Sequence, residues 1–436
     1  MSGPVGIVGA GITGLTLHKV LRDRGRATVV FEASPTVGGV IRSSKHGDRV
    51  LDVGPQRTRL TPPIRDLVAD LGLDADLIHA RDVPLYVYVD GKCRRVPFSL
   101  PEAIRTDLLS VRGKLRTICE PVVGGAPKSG ESVESYLHRA FGREFATRLG
   151  GPLYAGLYGS DPAHMPVEHS LARAFDHMGV SQSLLVWLVR SRLRGRTPPP
   201  VVTFRNGMQS LPNAIFDHYP DGLYVDEPVQ TIVERSAGYE LQTADRSMSV
   251  DTVVVTTPAA RAASLMREIA PDAAAALDSL TYNSFATVHL HAPDATHDGA
   301  GHTIPLSEGF QTRGVTWNAT LFGASGAKAG RAGVYTCFLG EVARGSILEL
   351  TDEQLAHWAI DEFQRVTGNP SSALRVSRIR PGMPAYDYTW DALKRLSLPT
   401  GLHLCANYTA RAGIPGRVSA AEKLGESLTT TGESYD

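Results

Sequence analysis

The chain has 436 residues, of which 45 are Lys or Arg, 45 are Asp or Glu and 42% are apolar. This length supports two or three domains and a large core. The balanced charge excludes a strongly basic chain, so we expect no nucleic-acid partner. The four cysteines are far apart and form no CxxC pair, which favours buried free thiols and gives no indication of a metal site.

The first strand, turn and helix predicted along the chain form a dinucleotide cradle. Apolar residues Val5 to Val8 run into Gly9, Gly11 and Gly14, and a helical pattern follows. The first glycine permits a tight turn, the second lets backbone N–H groups approach a pyrophosphate, and the third lets helix and strand pack closely. A second apolar strand ends at Glu32, 18 residues after Gly14. Its carboxylate can accept hydrogen bonds from a ribose.

Two motifs after Glu32 favour FAD as the dinucleotide. Gly38 and Gly39 are followed by Arg42, a pattern similar to that of flavoproteins, in which this loop lies along the flavin side of FAD. Asp52 to Arg59 is typical of a strand ending in a turn that could pass under the isoalloxazine. The alternative interpretation, an ordinary loop, is less favoured because both motifs follow a complete fingerprint.

The pattern of elements predicts an α/β fold with three parts. A helix is expected over Ile64 to Leu71, a hairpin around Asp90 and Gly91, and a strand over Tyr224 to Val233. Strands predominate from Tyr282 to Pro384, interrupted by a helix over Asp352 to Thr367. We predict a Rossmann-type FAD-binding domain (residues 1–84, 201–262 and 391–436), a mixed-sheet α+β substrate domain (85–98 and 263–390) and a helical insertion (99–200).

The helical insertion raises the question of a membrane. Residues 102–200 contain 13 Lys or Arg and 9 Asp or Glu, a net charge of +4, and the segment Leu184 to Arg196 combines apolar residues, a Trp and several arginines. Its apolar run is too short to span a bilayer, which takes about 20 residues. Two interpretations stay open: an interfacial segment on an anionic membrane, or a helix packed inward with solvated arginines.

The chain as a whole resembles the protoporphyrinogen and coproporphyrinogen oxidases, flavoenzymes that aromatise porphyrinogens in haem biosynthesis. The resemblance rests on the FAD motifs together with Leu153 to Pro162, Phe204 to Leu211, Gly382 to Tyr386 and Ala412 to Gly416. It implies FAD, bound noncovalently because the closing glycine motif has no cysteine. The residues that fall where the family contacts FAD are Gly9, Ala10, Gly11, Ile12, Thr13, Gly14, Glu32, Ala33, Gly39, Val40, Arg42, Gly54, Pro55, Gln56, Arg57, Val229, Asn407, Ala412, Gly413 and Ile414.

The resemblance also implies substrate contacts. Arg59 falls where eukaryotic members place an arginine on a substrate propionate, and Phe338 falls at another contact position. Ala300 and Thr303 replace an aromatic residue and a leucine that contact the ring in some members. No catalytic base is evident, which suits hydride removal from a methylene bridge assisted by pyrrole nitrogens. Three two-electron steps would give the porphyrin, with O2 as acceptor and H2O2 as product.

Two other functions stay open at this stage. An amine oxidase commonly has a lysine in its substrate-domain strand, but no lysine occurs between Lys128 and Lys328. A flavin-free relative could keep the fold as a scaffold. The start of the chain has no basic region typical of a signal peptide, so we expect a cytoplasmic protein with at most peripheral membrane contact. No pattern fixes the oligomeric state.

Overall fold

The structure is a computed structural model that describes residues 3–195, 197–295, 297–340, 347 and 349–430. The strands are β1 (Val5–Val8), β2 (Thr28–Phe31), β3 (Ser43–His46), β4 (Arg49–Asp52), β5 (Thr58–Arg59), β6 (Leu77–His79), β7 (Leu85–Val89), β8 (Lys92–Arg95), β9 (Val201–Phe204), β10 (Leu223–Tyr224), β11 (Thr231–Glu234), β12 (Tyr239–Gln242), β13 (Ser247–Val250), β14 (Thr252–Val255), β15 (Tyr282–His291), β16 (Gly301–Thr303), β17 (Thr312–Thr316), β18 (Val334–Leu339), β19 (Ser372–Pro384) and β20 (Leu402–Leu404).

The helices are α1 (Ile12–Asp23), α2 (Pro62–Asp70), α3 (Leu100–Arg105), α4 (Val111–Ile118), α5 (Glu120–Val123), α6 (Val133–Phe141), α7 (Arg143–Phe145), α8 (Gly151–Tyr158), α9 (Leu171–Met178), α10 (Leu184–Leu193), α11 (Ser210–His218), α12 (Ala259–Met266), α13 (Pro271–Asp278), α14 (Asn318–Leu321), α15 (Gly323–Gly326), α16 (Asp352–Thr367) and α17 (Ile414–Thr430). Short 3-10 segments cover Asp74–Asp76, Pro162–His164, Val167–His169, Leu306–Glu308 and Tyr388–Arg395, and π-helical turns cover Ala146–Gly150 and Ala327–Arg331.

The cofactor sheet is parallel throughout, in the order β10-β2-β1-β14-β20. β1 and β2 are buried along their whole length, as expected for strands covered on both faces. α1 and α17 pack so closely that a Cβ on Gly425 would lie 2.5 Å from Val20 Cγ1. β1 lies between β2 and β14, so a ligand is expected at the carboxyl end of β1, where the strand order reverses. The predicted Rossmann-type α/β fold is confirmed.

The substrate sheet is mixed, in the order β19-β15-β18-β17-β16-β7-β8, with β16 and β7 parallel and its other neighbouring pairs antiparallel. α16 covers one face, where Val288 and Leu290 share a buried cluster with Leu355 and Phe363. Because side chains alternate along a strand, Thr287 and His289 point to the opposite face, towards the cofactor sheet.

Local sequence explains where several predicted elements begin and end. α16 starts at a capping box in which Gln354 N–H donates to Thr351 Oγ1 at 3.2 Å, and it ends at Gly368 with φ +74°. The predicted bounds of this helix are therefore confirmed. The predicted strand over Tyr224 to Val233 is wrong, since β10 and β11 are separate. Asp226 has φ +56°, and Pro228 lacks an N–H for a ladder, so the strand cannot continue.

The helical insertion contains α3 to α10. Glu120 is buried and accepts hydrogen bonds from Ser183 Oγ and from the Leu184 N–H at 2.9 Å, which anchors the start of α10. Trp187 is half-buried and its Nε1 donates to Met178 O at 2.8 Å, so the first half of this helix packs partly against the insertion. Its second half is exposed. Arg196 lies outside the described residues.

Within the described ranges, no helix is long and apolar enough to cross a bilayer. β9 pairs with β5 and β6, which brings residues 201–204 against residues 58–59 and 77–79. The residue limits of the three predicted domains stay a prediction.

Candidate active site

The three glycines after β1 have different surroundings. Gly9 has φ +104°, a conformation that side chains rarely adopt. A Cβ on Gly14 would lie 2.0 Å from Gly9 O, so this glycine permits close packing of α1 on the turn. A Cβ on Gly11 would meet no atom within 4 Å. Gly11 therefore borders open space in front of the helix, where a dinucleotide would lie.

The start of α1 is suited to an anion. Gly11 gives the helix no side-chain cap, and its first turn holds no acidic residue. The N–H groups of a first helical turn lack helical partners and attract phosphate. Thr256 Oγ1 lies 2.9 Å from both Val8 O and Gly9 O and fixes the turn beneath.

Glu32 is the acidic residue expected at a ribose. Its Oε2 accepts from Ala10 N–H at 2.8 Å and its Oε1 from Ser34 N–H at 2.9 Å. Each carboxylate oxygen keeps a lone pair for a further donor. The carboxylate is therefore held at the carboxyl end of β2 with acceptor capacity for ribose hydroxyls. Ala33 follows it and is exposed.

The Gly38 to Arg42 segment lies beside this cradle. Gly38 N–H donates to Ala10 O at 2.8 Å, and Arg42 Nε donates to Gly39 O at 3.0 Å. Arg42 is exposed and has no acidic partner among the described residues, so its charge is available to a ligand. Val40 is 54% exposed although it is apolar, as expected for a side chain that a cofactor would cover.

The closing segment approaches the cradle from the other end of the chain. Gly413 has φ +85° and Ala412 is half-buried, directly before buried Ile414 at the start of α17. Asn407 Oδ1 accepts from Tyr282 OH at 2.7 Å, which leaves the Asn407 amino group to donate to a ligand. The sequence did not single out this role of Tyr282. Val229 is buried directly before β11.

The Gly54 turn connects the cofactor sheet to the substrate sheet. A Cβ on Gly54 would lie 1.9 Å from Val40 O, so only glycine fits, and Pro55 follows half-buried. Gln56 is buried, and its amide contacts Asp52 O at 3.1 Å and Asn318 Nδ2 at 2.9 Å. These protein partners occupy the side chain of Gln56. Its backbone is the part left for the predicted cofactor contact.

Arg57 and Arg59 differ in direction. Arg57 NH1 donates to Thr316 Oγ1 on the substrate sheet at 3.3 Å, and Arg57 has no acidic partner in the described chain. Desolvation of its guanidinium, with a smaller effect of Arg59, lowers the pKa of Arg57, although the residue is exposed. Arg59 NH1 instead donates to Pro199 O at 3.0 Å and is exposed.

A row of side chains lies on the face of the substrate sheet that points towards the cofactor sheet. The strand registers align Thr287, Phe338, Gly314 and Thr303 across β15, β18, β17 and β16. The hydroxyls of Thr287 and Thr303 are buried without a hydrogen-bond partner in the structure. Thr316, the partner of Arg57, lies two residues from Gly314 on the same face. Arg57 therefore reaches this face about 7 Å from the row.

Of the predicted substrate contacts, two lie in this row and two lie elsewhere. Phe338 lies in this row, with its ring 6.3 Å from that of Phe285. A Cβ on Gly156 of α8 would lie 2.9 Å from Thr303 Cγ2, so the helical insertion closes this end of the row. Ala300 instead packs against the buried cluster that contains Ile78. The structure therefore brings together Phe338, Thr303 and Arg57, but not Ala300 or Arg59.

Comparisons with known proteins identify the family of this chain and several relatives. The sequence profile of the family described as flavin containing amine oxidoreductase matches residues 12–423. The chloroplastic protoporphyrinogen oxidase of Oryza sativa is 27% identical over 402 residues, which are 84% of this chain and 75% of that protein. The coproporphyrinogen III oxidase of Bacillus subtilis is 25% identical over 415 residues, 87% of each chain.

Solved structures share the fold. A candidate protoporphyrinogen oxidase from Exiguobacterium sp. 255-15 matches with a TM-score of 0.80 at 20% identity over 99% of each chain. The cyclohexylamine oxidase of Brevibacterium oxydans matches with a TM-score of 0.70 at 17% identity, covering 99% of this chain and 100% of that chain. These likenesses extend over both sheets and the helical insertion.

Proposed function

We propose that this chain, which belongs to the flavin containing amine oxidoreductase family, oxidises a porphyrinogen to the aromatic porphyrin. The family implies a flavin cofactor, and the open space before Gly11 together with Glu32 and Arg42 suits FAD. The names of the relatives support the substrate class. The observation that carries the proposal is the substrate-sheet row with Phe338, which faces the cofactor turn and has the unpaired Arg57 cation at its edge.

FAD would supply the two-electron acceptor at this site. The side chains and backbone of the protein would hold the cofactor and orient the substrate. The N-terminus of α1 and Arg42 would bind the diphosphate, and Glu32 would bind the ribose. Phe338 and the helical insertion would exclude water from one face of a flat, apolar ring. We infer no side-chain base, since pyrrole nitrogens assist hydride loss from the methylene bridge.

We propose Arg57 and Arg59 as two cations of unequal importance for substrate carboxylates. An arginine fork binds a carboxylate through two parallel hydrogen bonds. The guanidinium of Arg57 lies against Thr316 on the substrate sheet and has no acidic partner among the described residues, whereas that of Arg59 donates to Pro199 O. The location of Arg57 supports the main role for it, with Arg59 adding positive potential. This ranking reverses the expectation from the sequence.

An amine oxidase is the competing function within the family. Cyclohexylamine and putrescine oxidases share the fold, but fold alone does not determine the substrate. The strand β15, where amine oxidases commonly carry a lysine, has the sequence YNSFATVHLH and contains none. This absence favours the porphyrinogen, for which no side-chain base is required.

We also propose that FAD is bound noncovalently and that O2 accepts the electrons. Cys405 is the cysteine nearest the closing segment, and burial raises the pKa of its thiol to about 11, which disfavours the nucleophilic thiolate. Acid precipitation of the purified protein should therefore release all its flavin into the supernatant. A pellet that stays yellow would contradict noncovalent binding.

A substrate comparison tests the proposed function. Purified protein with FAD is given protoporphyrinogen IX, coproporphyrinogen III or cyclohexylamine, and turnover is followed by porphyrin fluorescence and by H2O2 release. We expect turnover of at least one porphyrinogen well above its autoxidation, and no H2O2 with the amine. Oxidation of the amine alone would establish the competing function.

A further inference from the structure

The carboxylate of Asp52 is buried behind the candidate cofactor site and is held by three groups. Asp52 ends β4 and is 5% exposed. Its Oδ1 accepts from Ser43 Oγ at 2.6 Å and from Met208 N–H at 2.8 Å. Its Oδ2 lies 3.3 Å from an NH2 of Arg331. Burial raises the pKa of Asp52, whereas Arg331, Ser43 and Met208 stabilise its charged form.

Arg331 is also buried, and it belongs to the segment that leads into β18 of the substrate sheet. Its guanidinium is 2% exposed and also donates to Phe204 O at 3.0 Å and to Ala329 O at 3.2 Å. Thr203 Oγ1 lies 3.3 Å away. Arg331 ends the π-helical turn that leads into β18, the strand that carries Phe338. The ion pair therefore joins the cofactor domain to the strand expected under the substrate.

The pair connects both segments that line the flavin end of the cradle. Ser43 directly follows Arg42, and Asp52 stands two residues before Gly54. Val53 N–H donates to Arg42 O at 2.8 Å, so the two segments are also bonded to each other. The main-chain oxygen of Asp52 accepts from His289 Nε2 at 3.1 Å, which adds β15 of the substrate sheet.

The space around the pair is closed by backbone. Gly207 has φ +94°, and a Cβ there would lie 2.3 Å from Ser43 Oγ and 2.8 Å from Asp52 Oδ1. Gln209 Oε1 accepts from Ser43 N–H at 2.9 Å on the same side. With backbone this close, the carboxylate has no room to change its orientation, and the positions of its partners are coupled to one another.

Stability alone is a weak reason for this arrangement. Burying two charges costs several kcal/mol per ion, and apolar replacements of buried ion pairs are often neutral or stabilising (Arc repressor is the known case). A network that joins separate segments does fix their relative positions. We propose that Asp52 and Arg331 are a positioning pair that fixes the Arg42 and Gly54 segments against the substrate sheet and thereby determines the environment of the flavin.

This proposal depends on the flavin of the family and not on the porphyrinogen, so its test uses cofactor properties. Asp52→Asn keeps the shape and removes the charge. A matched control is Glu120→Gln, because Glu120 is an equally buried carboxylate with several donors, placed in the helical insertion. Both variants are expected to lower the melting temperature.

The distinguishing measurements are the FAD dissociation constant, the visible flavin spectrum and the reduction potential against a dye. We expect Asp52→Asn to weaken FAD at least 10-fold and to shift both the spectrum and the potential, while Glu120→Gln leaves all three unchanged. Arg331→Lys should restore the flavin spectrum further towards wild type than Arg331→Met does, since it keeps the charge.

Ser43→Ala covers the case in which Asp52→Asn does not fold. It removes one donor to Asp52 and should give a smaller shift of the same sign in the spectrum and in FAD affinity. The positioning role is wrong if Asp52→Asn or Ser43→Ala loses stability as Glu120→Gln does while binding FAD with wild-type affinity, spectrum and potential.

Discussion

At the scale of single residues, two arginines of the same type differ in where their side chains are directed. The sequence contains Arg57 and Arg59 two positions apart, and nothing in the pattern separates them. In the structure, Thr58 is buried between them while Arg57 reaches Thr316 and Arg59 reaches Pro199. The direction of each guanidinium depends on the substrate sheet and the linker, both distant in sequence.

The two arginines give a matched pair of variants. Arg57→Ala should lower kcat/KM for a porphyrinogen by about 10–100-fold, equivalent to ~1.4–2.8 kcal/mol for one charge-assisted anchor. Arg59→Ala should lower it less than 5-fold at moderate salt, because its guanidinium donates to Pro199 O, away from the substrate sheet, and salt screens its charge. Steady-state kinetics with the FAD content measured for each variant checks both.

Esterified substrate is the control for this prediction. The loss in Arg57→Ala should shrink when the carboxylates are methyl esters, which offer no charge to an arginine. If kcat/KM falls equally with acid and ester, or falls in proportion to FAD content, Arg57 contacts the cofactor, as expected from the sequence.

The first half of the candidate cofactor site could be predicted because its residues, from Gly9 to Arg42, lie close together in the chain. The turn from Gly9 to Gly14 and the acid at Glu32 obey local rules of spacing. The Asp52–Arg331 pair and the Tyr282–Asn407 hydrogen bond could not be predicted, since each joins residues more than 100 positions apart. No local pattern marks such a residue.

At the scale of elements, the helical insertion exposes apolar side chains on α4 and α5 as well as on the second half of α10. Val111, Leu115, Ile118 and Val122 are each more than 60% exposed and follow helical spacing along α4 and α5. We call these four residues the apolar ridge. α10 leaves Trp187 half-buried, with its Nε1 donating to Met178 O, and exposes Leu188, Val189 and Leu193.

We predict that any peripheral membrane contact uses the apolar ridge. Leu115→Ser with Ile118→Ser should reduce co-sedimentation with anionic vesicles at low salt, because less apolar area enters the interface. The matched control is Leu188→Ser with Val189→Ser on α10, which should leave sedimentation unchanged. Loss of binding in the α10 variant alone would restore the segment Leu184 to Arg196 as the contact.

At the scale of the whole molecule, the substrate sheet contains two buried histidines that folding keeps neutral. Burial lowers the pKa of His289 to about 4 and that of His302 to about 3. In the unfolded chain both titrate near 6.5. The stability they contribute is therefore present above that pH and is lost as the pH falls towards 4.

As the pH falls from 7 to 5, each of these histidines should lower the free energy of unfolding by about 2 kcal/mol. In His302→Gln the free energy of unfolding should fall less steeply with pH, by a slope equivalent to about one proton. His79→Gln, at an exposed position, should leave this slope unchanged. Urea unfolding at a series of pH values measures this. An unchanged slope in His302→Gln would contradict a buried neutral ring.

The central claim, that a porphyrinogen is the electron donor at a flavin site, has one direct test. Protein loaded with FAD is mixed with porphyrinogen in the absence of O2, and flavin absorption and porphyrin fluorescence are followed together. We predict rapid loss of the flavin absorption with matching porphyrin formation, and return of the absorption when O2 is admitted. Flavin that stays oxidised with porphyrinogen but is bleached by an amine would contradict the claim.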